Sequence, residues 1–208
     1  MPRRRVPGVS ERETYDGEDF AGVDWYGLEL GAGRYRRCRF FDADLTEART
    51  QNAVFEECDF SGARLNVSRH RTSAFLRCTF SRASLFDATL DGCKMTGSEF
   101  AATRLRPLTV HGGDWSYVGL RGADLAGLDL SGVSLAYADL TEADLRKTVL
   151  RDANLDHARL ELAELRGADL RGADLNAVET HTLDLRDVKV TMIQAIVLAQ
   201  HRGALVDG

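Results

Sequence analysis

The sequence predicts an all-β, four-sided solenoid that is closed at its C-terminal end by an α-helix. Three observations support this prediction. An apolar residue recurs at every fifth position from Phe20 to Val190, a small residue recurs two positions before it, and some side chains repeat at a spacing of twenty. Repeats of this kind indicate a stacked architecture, in which each unit buries its apolar side chains against its neighbours.

The apolar register runs without an insertion or a deletion. Of the 35 positions from Phe20 to Val190, 32 are apolar and 26 are leucine or phenylalanine. A five-residue step carries a side chain around an α-helix, and an odd step moves it to the opposite face of an ordinary β-strand. The pattern therefore predicts short extended segments with inward-pointing residues, each followed by a corner.

The small-residue register completes the repeat and gives the consensus A-(D/N)-L-x-x, which is clearest at residues 166–175. Small and large side chains that alternate in this way can fill a narrow interior without voids. The four cysteines lie in this register, where we expect inert, buried thiols and neither a metal site nor redox chemistry. They are Cys38, Cys58, Cys78 and Cys93.

Side chains that recur at twenty residues set the number of sides. Twenty residues are four pentapeptides, so one coil has four sides and like side chains stack about 4.8 Å apart, the usual distance between strands. Residues 16–190 then form about nine coils, preceded by an irregular segment of residues 1–15. The clearest example is the series Phe20, Phe40, Phe60, Phe80 and Phe100.

Three inward positions carry polar residues, namely Thr50, His70 and Thr180. Thr50 and His70 are one coil apart on the same side, so they are expected to touch. Either they form a buried hydrogen-bonded pair, or the chain bulges outward at this point. The sequence leaves both alternatives open.

Residues 191–208 are predicted to form the capping helix and a tail. Thr191 followed by Gln194 has the spacing of a capping box, and the apolar run that follows ends near Gly203. Each coil of a solenoid is stabilised by its neighbours, so an open end needs a cover. The helix is expected to cover the last coil.

The unbroken register and the consensus resemble the pentapeptide-repeat family over about residues 16–190. This resemblance implies a right-handed quadrilateral β-helix. The terminal helix and the acidic C-terminal half are similar to the topoisomerase-protecting branch, the mycobacterial and Qnr-type quinolone-resistance proteins, although this chain lacks the inserted loop of the Qnr type. The branch implies DNA gyrase or another type II topoisomerase as the partner, and a homodimer joined through the C-terminal helices. The helix residues implied in the dimer interface are Met192, Ile193, Ile196 and Val197.

The net charge of −5 is local: residues 118–190 carry 14 acidic and 9 basic residues, whereas residues 1–117 carry 17 of each. When the sequence is folded at twenty residues per coil, the excess of acidic residues falls on two adjoining sides. Only Arg121 and Arg159 oppose these acidic residues there. A separate column from Asp124 to Asp184 is expected to be neutralised by neighbouring arginines. The candidate partner-binding residues are Asp114, Asp139, Glu142, Asp156, Glu161, Asp174, Glu179, Tyr117 and Tyr137. The two tyrosines are expected to form an exposed stack that His157 continues.

These features predict a non-enzymatic protein that imitates duplex DNA with its carboxylates and so binds and modulates or protects a topoisomerase. A passive protein-interaction scaffold without a topoisomerase role is the alternative. No catalytic constellation, cofactor or metal is expected, and the acidic balance argues against direct binding of nucleic acid. Free cysteines without an export signal or membrane-spanning segment favour the cytoplasm.

Overall fold

The structure is a computed structural model that describes residues 14–206. The described part of the chain consists of short strands, a 3-10 helix and a C-terminal α-helix, joined by tight corners. The elements are β1 (Thr14–Asp16), β2 (Arg34–Arg36), β3 (Arg49–Gln51), β4 (Val54–Glu56), β5 (Arg69–Arg71), β6 (Ala74–Leu76), β7 (Ala88–Asp91), β8 (Leu108–His111), the 3-10 helix Thr180–Thr182 and α1 (Met192–His201).

All strand pairs are parallel and join residues that are twenty positions apart, for example Tyr15 with Tyr35. They form two four-stranded sheets in the orders β1-β2-β4-β6 and β3-β5-β7-β8. The strands span about five coils, and isolated bridges at the same spacing continue to the pair of Asp169 with Lys189, which extends the coils to about nine. The predicted β-solenoid with a C-terminal helix is confirmed.

The strands begin at Thr14, two residues before the predicted start of the solenoid. Residues 1–13 of the predicted irregular segment lie outside the described residues.

Two ladders of aromatic rings fill the N-terminal half of the interior. The predicted phenylalanine series is confirmed as one of them, since the rings of Phe40 and Phe60 lie 4.8 Å apart and nearly parallel. A second ladder, from Tyr15 through Tyr35 and Phe55 to Phe75, runs beside it with spacings of 5.2, 4.7 and 4.8 Å. Aromatic contacts of this kind add about 0.5–1.5 kcal/mol beyond the area that they bury.

Most corners place a residue in the left-handed region two positions after the large inward residue; the corners after Leu30, Leu105 and Thr180 do not. At the corner after Phe20, Gly22 has a φ of 63° and the Val23 amide donates to the Phe20 carbonyl at 3.3 Å. A positive φ at the third residue with this hydrogen bond is the pattern of a type II turn. Non-glycine residues also adopt it, among them Tyr117 at 59°, and the side chains of one corner column project side by side into solvent.

The recurring aspartate of the consensus has a structural role at the corners. Its Oδ1 accepts a hydrogen bond from the backbone amide two residues later, as Asp139 does from Thr141 at 3.1 Å and Asp174 from Asn176 at 3.0 Å. Such local hydrogen bonds are typical of aspartate and asparagine in turns. The carboxylates in this position are therefore held in place before any partner binds.

The polar inward residues are buried, so the outward bulge does not occur. Thr50 Oγ1 lies 2.8 Å from His70 Nδ1, and the two residues are only 4% and 2% exposed. Ser68 and Ser73 complete the hydrogen-bonded group. Thr180 is also buried, in the 3-10 helix, and all four cysteines are buried and free.

The helix α1 covers the end of the solenoid. Thr191 and Gln194 form the predicted capping box. The Gln194 side-chain nitrogen also donates to the carbonyl oxygens of Leu170 and Ala173 at 2.8 and 2.9 Å. One side chain therefore begins the helix and binds two backbone carbonyls of the last coil, of which that of Leu170 also accepts from the Ala173 amide at 3.0 Å.

Candidate partner-binding surface

The predicted acidic residues lie on two adjoining sides of the solenoid, which together we call the acidic surface. Asp114, Asn154 and Asp174 belong to one column of bridges, and Asp139 with Arg159 belongs to a column on the next side. Asp156 follows the large inward residue on the first of these sides, and Glu142 and Glu161 follow it on the second. The whole acidic surface comprises Asp114, Asp139, Glu142, Asp156, Glu161, Asp174, Glu179, Tyr117 and Tyr137.

Arginine pairs with only part of the acidic surface. Arg121 pairs with Glu142, and Arg159 pairs with Asp139 at 3.1 Å. Exposed ion pairs of this type contribute little stability and open readily. The other carboxylates of the acidic surface form no ion pair with an arginine or lysine of residues 14–206; they are Asp114, Asp156, Glu161, Asp174 and Glu179.

Local hydrogen bonds keep two carboxylates of the acidic surface ionised, the unpaired Asp114 and the paired Asp139. Partial burial raises the pKa of Asp114, but hydrogen bonds from the Ser116 side chain and backbone outweigh this effect, so that its pKa ends below the usual value. Burial likewise raises the pKa of Asp139, and the hydrogen bonds from Thr141 again outweigh it. Both groups therefore carry a full negative charge at neutral pH.

An exposed aromatic ridge stands at the corner between the two sides. The rings of Tyr117 and Tyr137 stack 4.8 Å apart with an interplanar angle of 5°, and the His157 ring continues the stack at 4.7 Å. Tyr117 is 59% exposed and Tyr137 is 45% exposed. His157 Nδ1 lies 2.8 Å from Asp156 Oδ1, which also accepts from the Asn176 side chain. The predicted exposed stack is confirmed.

The neighbouring column of carboxylates differs in being neutralised. Arg146 pairs with both Asp144 and Glu164, and Arg186 pairs with Asp184. Arg106 pairs with Asp124 at 2.7 Å, while Arg166 reaches Asp187 at 3.2 Å. Within residues 118–190, Asp129 and Asp152 are the only carboxylates outside the acidic surface that form no ion pair, so most of the uncompensated charge of this half lies on the acidic surface.

The helix α1 presents apolar side chains to solvent. Met192 and Ile193 are 82% and 76% exposed, and Ile196 and Val197 are also exposed. A cavity of about 380 Å³ between α1 and the last coil is lined by Ile193, Val197 and Leu175. Exposed apolar side chains that lie next to one another are typical of an interaction site. The dimer interface itself stays a prediction.

Metal binding and membrane insertion find no support in the part of the chain that the structure describes. No group of three or more histidine, cysteine, aspartate or glutamate side chains in residues 14–206 is arranged to hold a metal ion. None of the helices in that range is both long and apolar enough to span a membrane.

The family model described as "Pentapeptide repeats" matches residues 38–66, 118–152 and 148–178, with 8 copies of the repeat. The chain is 46% identical over 86 residues to the pentapeptide repeat protein MfpA of Mycobacterium tuberculosis, and this match covers 41% of the chain and 47% of MfpA. The matched segment therefore spans about half the length of that relative.

The fold is similar to solved structures of QnrB1, a plasmid-mediated fluoroquinolone resistance protein. A trypsin-treated QnrB1 superposes with a TM-score of 0.72 and 19% identity, over 94% of this chain and 98% of that one. Full-length QnrB1 gives a TM-score of 0.71 and 17% identity, over 93% and 99% of the two chains. At this level of identity the similarity establishes the fold.

Proposed function

The chain belongs to the pentapeptide-repeat family, and we propose that it is a non-enzymatic DNA mimic that binds DNA gyrase or another type II topoisomerase. Binding would modulate the topoisomerase or protect it from fluoroquinolones and similar poisons. The proposal places the protein in the cytoplasm, together with the topoisomerase. It adds no catalytic step, cofactor or metal.

The observation that carries this proposal is the uncompensated charge of the acidic surface. Asp114 and Asp174 lie three coils apart in one column, which corresponds to about 14 Å at the usual strand spacing. Along that length a duplex presents about four phosphates on each strand. Ser134 and Asn154 stand between the two aspartates in that column, so the carboxylates come from both sides of the acidic surface. Together they can take the place of phosphates in a basic groove, where they also speed association through long-range attraction.

The similarity to MfpA and QnrB1 supports the proposal that the basic groove belongs to a topoisomerase. QnrB1 is a fluoroquinolone resistance protein, and a type II topoisomerase is the partner that the resemblance to the Qnr-type branch implies. The proposal includes a homodimer through the exposed apolar residues of α1. In such a dimer the two acidic surfaces lie on either side of the centre and form one longer acidic rod.

A passive interaction scaffold is the second candidate. It is favoured by apolar side chains that stand among the charges, since Leu162 is 78% exposed next to the acidic surface. Contacts of this type need no charge on the partner and respond little to salt.

The two candidates are separated by supercoiling with purified bacterial gyrase, with and without a fluoroquinolone. The test variant changes Asp139, Glu142 and Asp156 to lysine. The control variant changes Asp124, Glu164 and Asp184 to lysine, which alters the net charge equally but on the neutralised column. DNA mimicry predicts that the wild type and the control inhibit gyrase or rescue it from the drug, and that the test variant does not. Equal behaviour of all three proteins, or no effect of the wild type at large excess, would exclude DNA mimicry and favour the passive interaction scaffold.

A further inference from the structure

The exposed aromatic stack ends in an empty position. Tyr117, Tyr137, His157 and Ala177 occupy the same corner in successive coils, and their φ angles are 59°, 58°, 56° and 53°. Because the backbone is the same at all four corners, a ring at position 177 would extend the stack. Alanine leaves that space open.

A cavity of about 130 Å³ lies at this empty position, and we call it the slot. The residues that line it are His157, Ala158, Arg159, Leu160, Glu161, Ala177 and Glu179. One face of the His157 ring is covered by Tyr137 at 4.7 Å, so its other face is the one available to the slot. The slot is therefore bounded on one side by a flat aromatic surface.

The orientation of that surface is fixed by hydrogen bonding. A carboxylate can only accept, so the 2.8 Å contact with Asp156 Oδ1 places the proton of the His157 ring on Nδ1. Asp156 is itself held by the Asn176 side-chain nitrogen at 2.7 Å. The ring is thus held in position before a ligand arrives.

The charges around the slot favour a cation. Arg159 is already paired with Asp139 at 3.1 Å, and Glu161 accepts a hydrogen bond from Thr141 at 3.3 Å. Glu179 has no ion pair among the described residues. Two carboxylates therefore face the space beside the ring, against one arginine that is directed elsewhere.

A guanidinium group has the shape and the hydrogen-bonding capacity that these walls require. It is planar, so it can stack on an aromatic face, and its N–H groups can donate to carboxylates at its edge. A lysine ammonium is compact and strongly hydrated and has no flat face. An uncharged aromatic side chain would leave the carboxylates unpaired.

We propose that the slot binds the guanidinium of an arginine in the protein partner, stacked on His157 and hydrogen-bonded to Glu179 and Glu161. This inference rests on the proposed function, because a basic DNA-binding groove supplies the arginine. It identifies one anchoring point within the acidic surface.

The test uses N-acetyl-arginine amide as the probe and follows the ring signals of His157 by NMR on the full-length chain. These signals are assigned by their loss in a His157→Asn variant. The expected result is a saturable shift of the His157 signals with the arginine probe, and a much smaller response to N-acetyl-lysine amide. Removing the charge in Glu179→Gln should weaken binding by about threefold or more.

The decisive variant is Ala177→Tyr, which fills the slot with a ring that the backbone already tolerates at positions 117 and 137. The matched control is Ala102→Tyr, which adds the same ring at an exposed corner with a φ of 52° on another column. Binding should be lost in Ala177→Tyr and kept in Ala102→Tyr and Ala177→Ser. Circular dichroism of each variant checks that it is folded.

The proposal is overturned if the arginine probe gives no saturable shift, if Ala177→Tyr responds like the wild type, or if lysine binds as well as arginine. The measurement contains no topoisomerase, so it can fail while gyrase inhibition succeeds, and the reverse is also possible. The slot and the proposed function are thus tested separately.

Discussion

Acid is expected to destabilise this protein through the buried His70, well before its carboxylates are protonated. Ser68 Oγ donates to the Leu65 carbonyl at 2.7 Å, so it must accept from His70 Nε2 at 2.9 Å. The ring nitrogen Nδ1 then accepts from Thr50 Oγ1 at 2.8 Å. The neutral ring is fully hydrogen-bonded, and burial lowers the pKa of His70 to about 4.

The size of the effect follows from the difference between this pKa and the value of 6.5 for an ordinary histidine. Above pH 6.5 the ring is neutral in both states, so His70 gives no pH dependence. Between pH 6.5 and about 4 the unfolded chain binds a proton that the folded chain does not, so stability falls as the pH falls. At about 1.4 kcal/mol for each pKa unit, the loss at pH 4.5 is about 2.5 kcal/mol.

The assay compares the thermal unfolding midpoint of the wild type with that of a Thr50→Val, His70→Leu variant at pH 7 and pH 4.5, at one protein concentration. Leucine already occupies the same column at Leu30 and Leu90. For a chain of this size, about 2.5 kcal/mol corresponds to about 5–10 °C. The midpoint of the wild type should fall by that much more than the midpoint of the variant.

Acidic residues that titrate over this range are common to both proteins, so their contribution cancels in the comparison. Two midpoints that fall in parallel between pH 7 and pH 4.5 would refute the reasoning. They would mean that the ring is protonated in the folded state without cost, or that the solenoid opens around it before it unfolds.

Three further predictions concern the core and the corners. Phe60→Ala removes a ring from the middle of a stack and should cost about 3–5 kcal/mol in chemical denaturation, and a loss below 1 kcal/mol would contradict the ladder. Gly113→Ala should destabilise by about 2 kcal/mol or more, because φ is +107° and the new Cβ would clash with the Cys93 carbonyl oxygen. Its control Gly127→Ala, with a φ of +72° and open space, should cost only about 1 kcal/mol. Burial raises the pKa of Cys38 and of Cys93 to about 11, so these two thiols should react with a thiol reagent only after unfolding, and their rapid labelling in the native protein would disprove this.

The fold could be predicted from the sequence because its signal is periodic and long. A five-residue register that holds from Phe20 to Val190 is compatible with neither a helix nor an ordinary strand, and the spacing of Phe40 and Phe60 sets the length of a coil. The second aromatic ladder could have been found in the same way, since Tyr35, Phe55 and Phe75 also recur at twenty.

The details of the acidic surface could be predicted only in part. Residue spacing places Tyr137 and His157 in one column, but it does not choose between ion-pair partners that lie within reach of one another. Arg166 pairs with Asp187 rather than with the carboxylate column beside it. The slot could not be predicted from the sequence, because the significance of Ala177 is visible only when its corner is known to continue an aromatic stack.

The choice between a buried and a bulged Thr50 and His70 depended on the same kind of information. Both outcomes give the same spacing in sequence. Burial occurs because Ser68 and Ser73, which lie in the small-residue register, supply the hydrogen bonds that the ring and the hydroxyl need.

The most direct test of DNA mimicry is a competition for gyrase between this protein and a fluorescently labelled DNA duplex. The wild type and the variant with lysine at positions 124, 164 and 184 should displace the duplex, and their binding should weaken as salt is added. The variant with lysine at positions 139, 142 and 156 should leave the duplex bound. If gyrase holds the protein and the duplex together, or if both lysine variants displace the duplex equally well, the acidic surface does not act as a substitute for DNA.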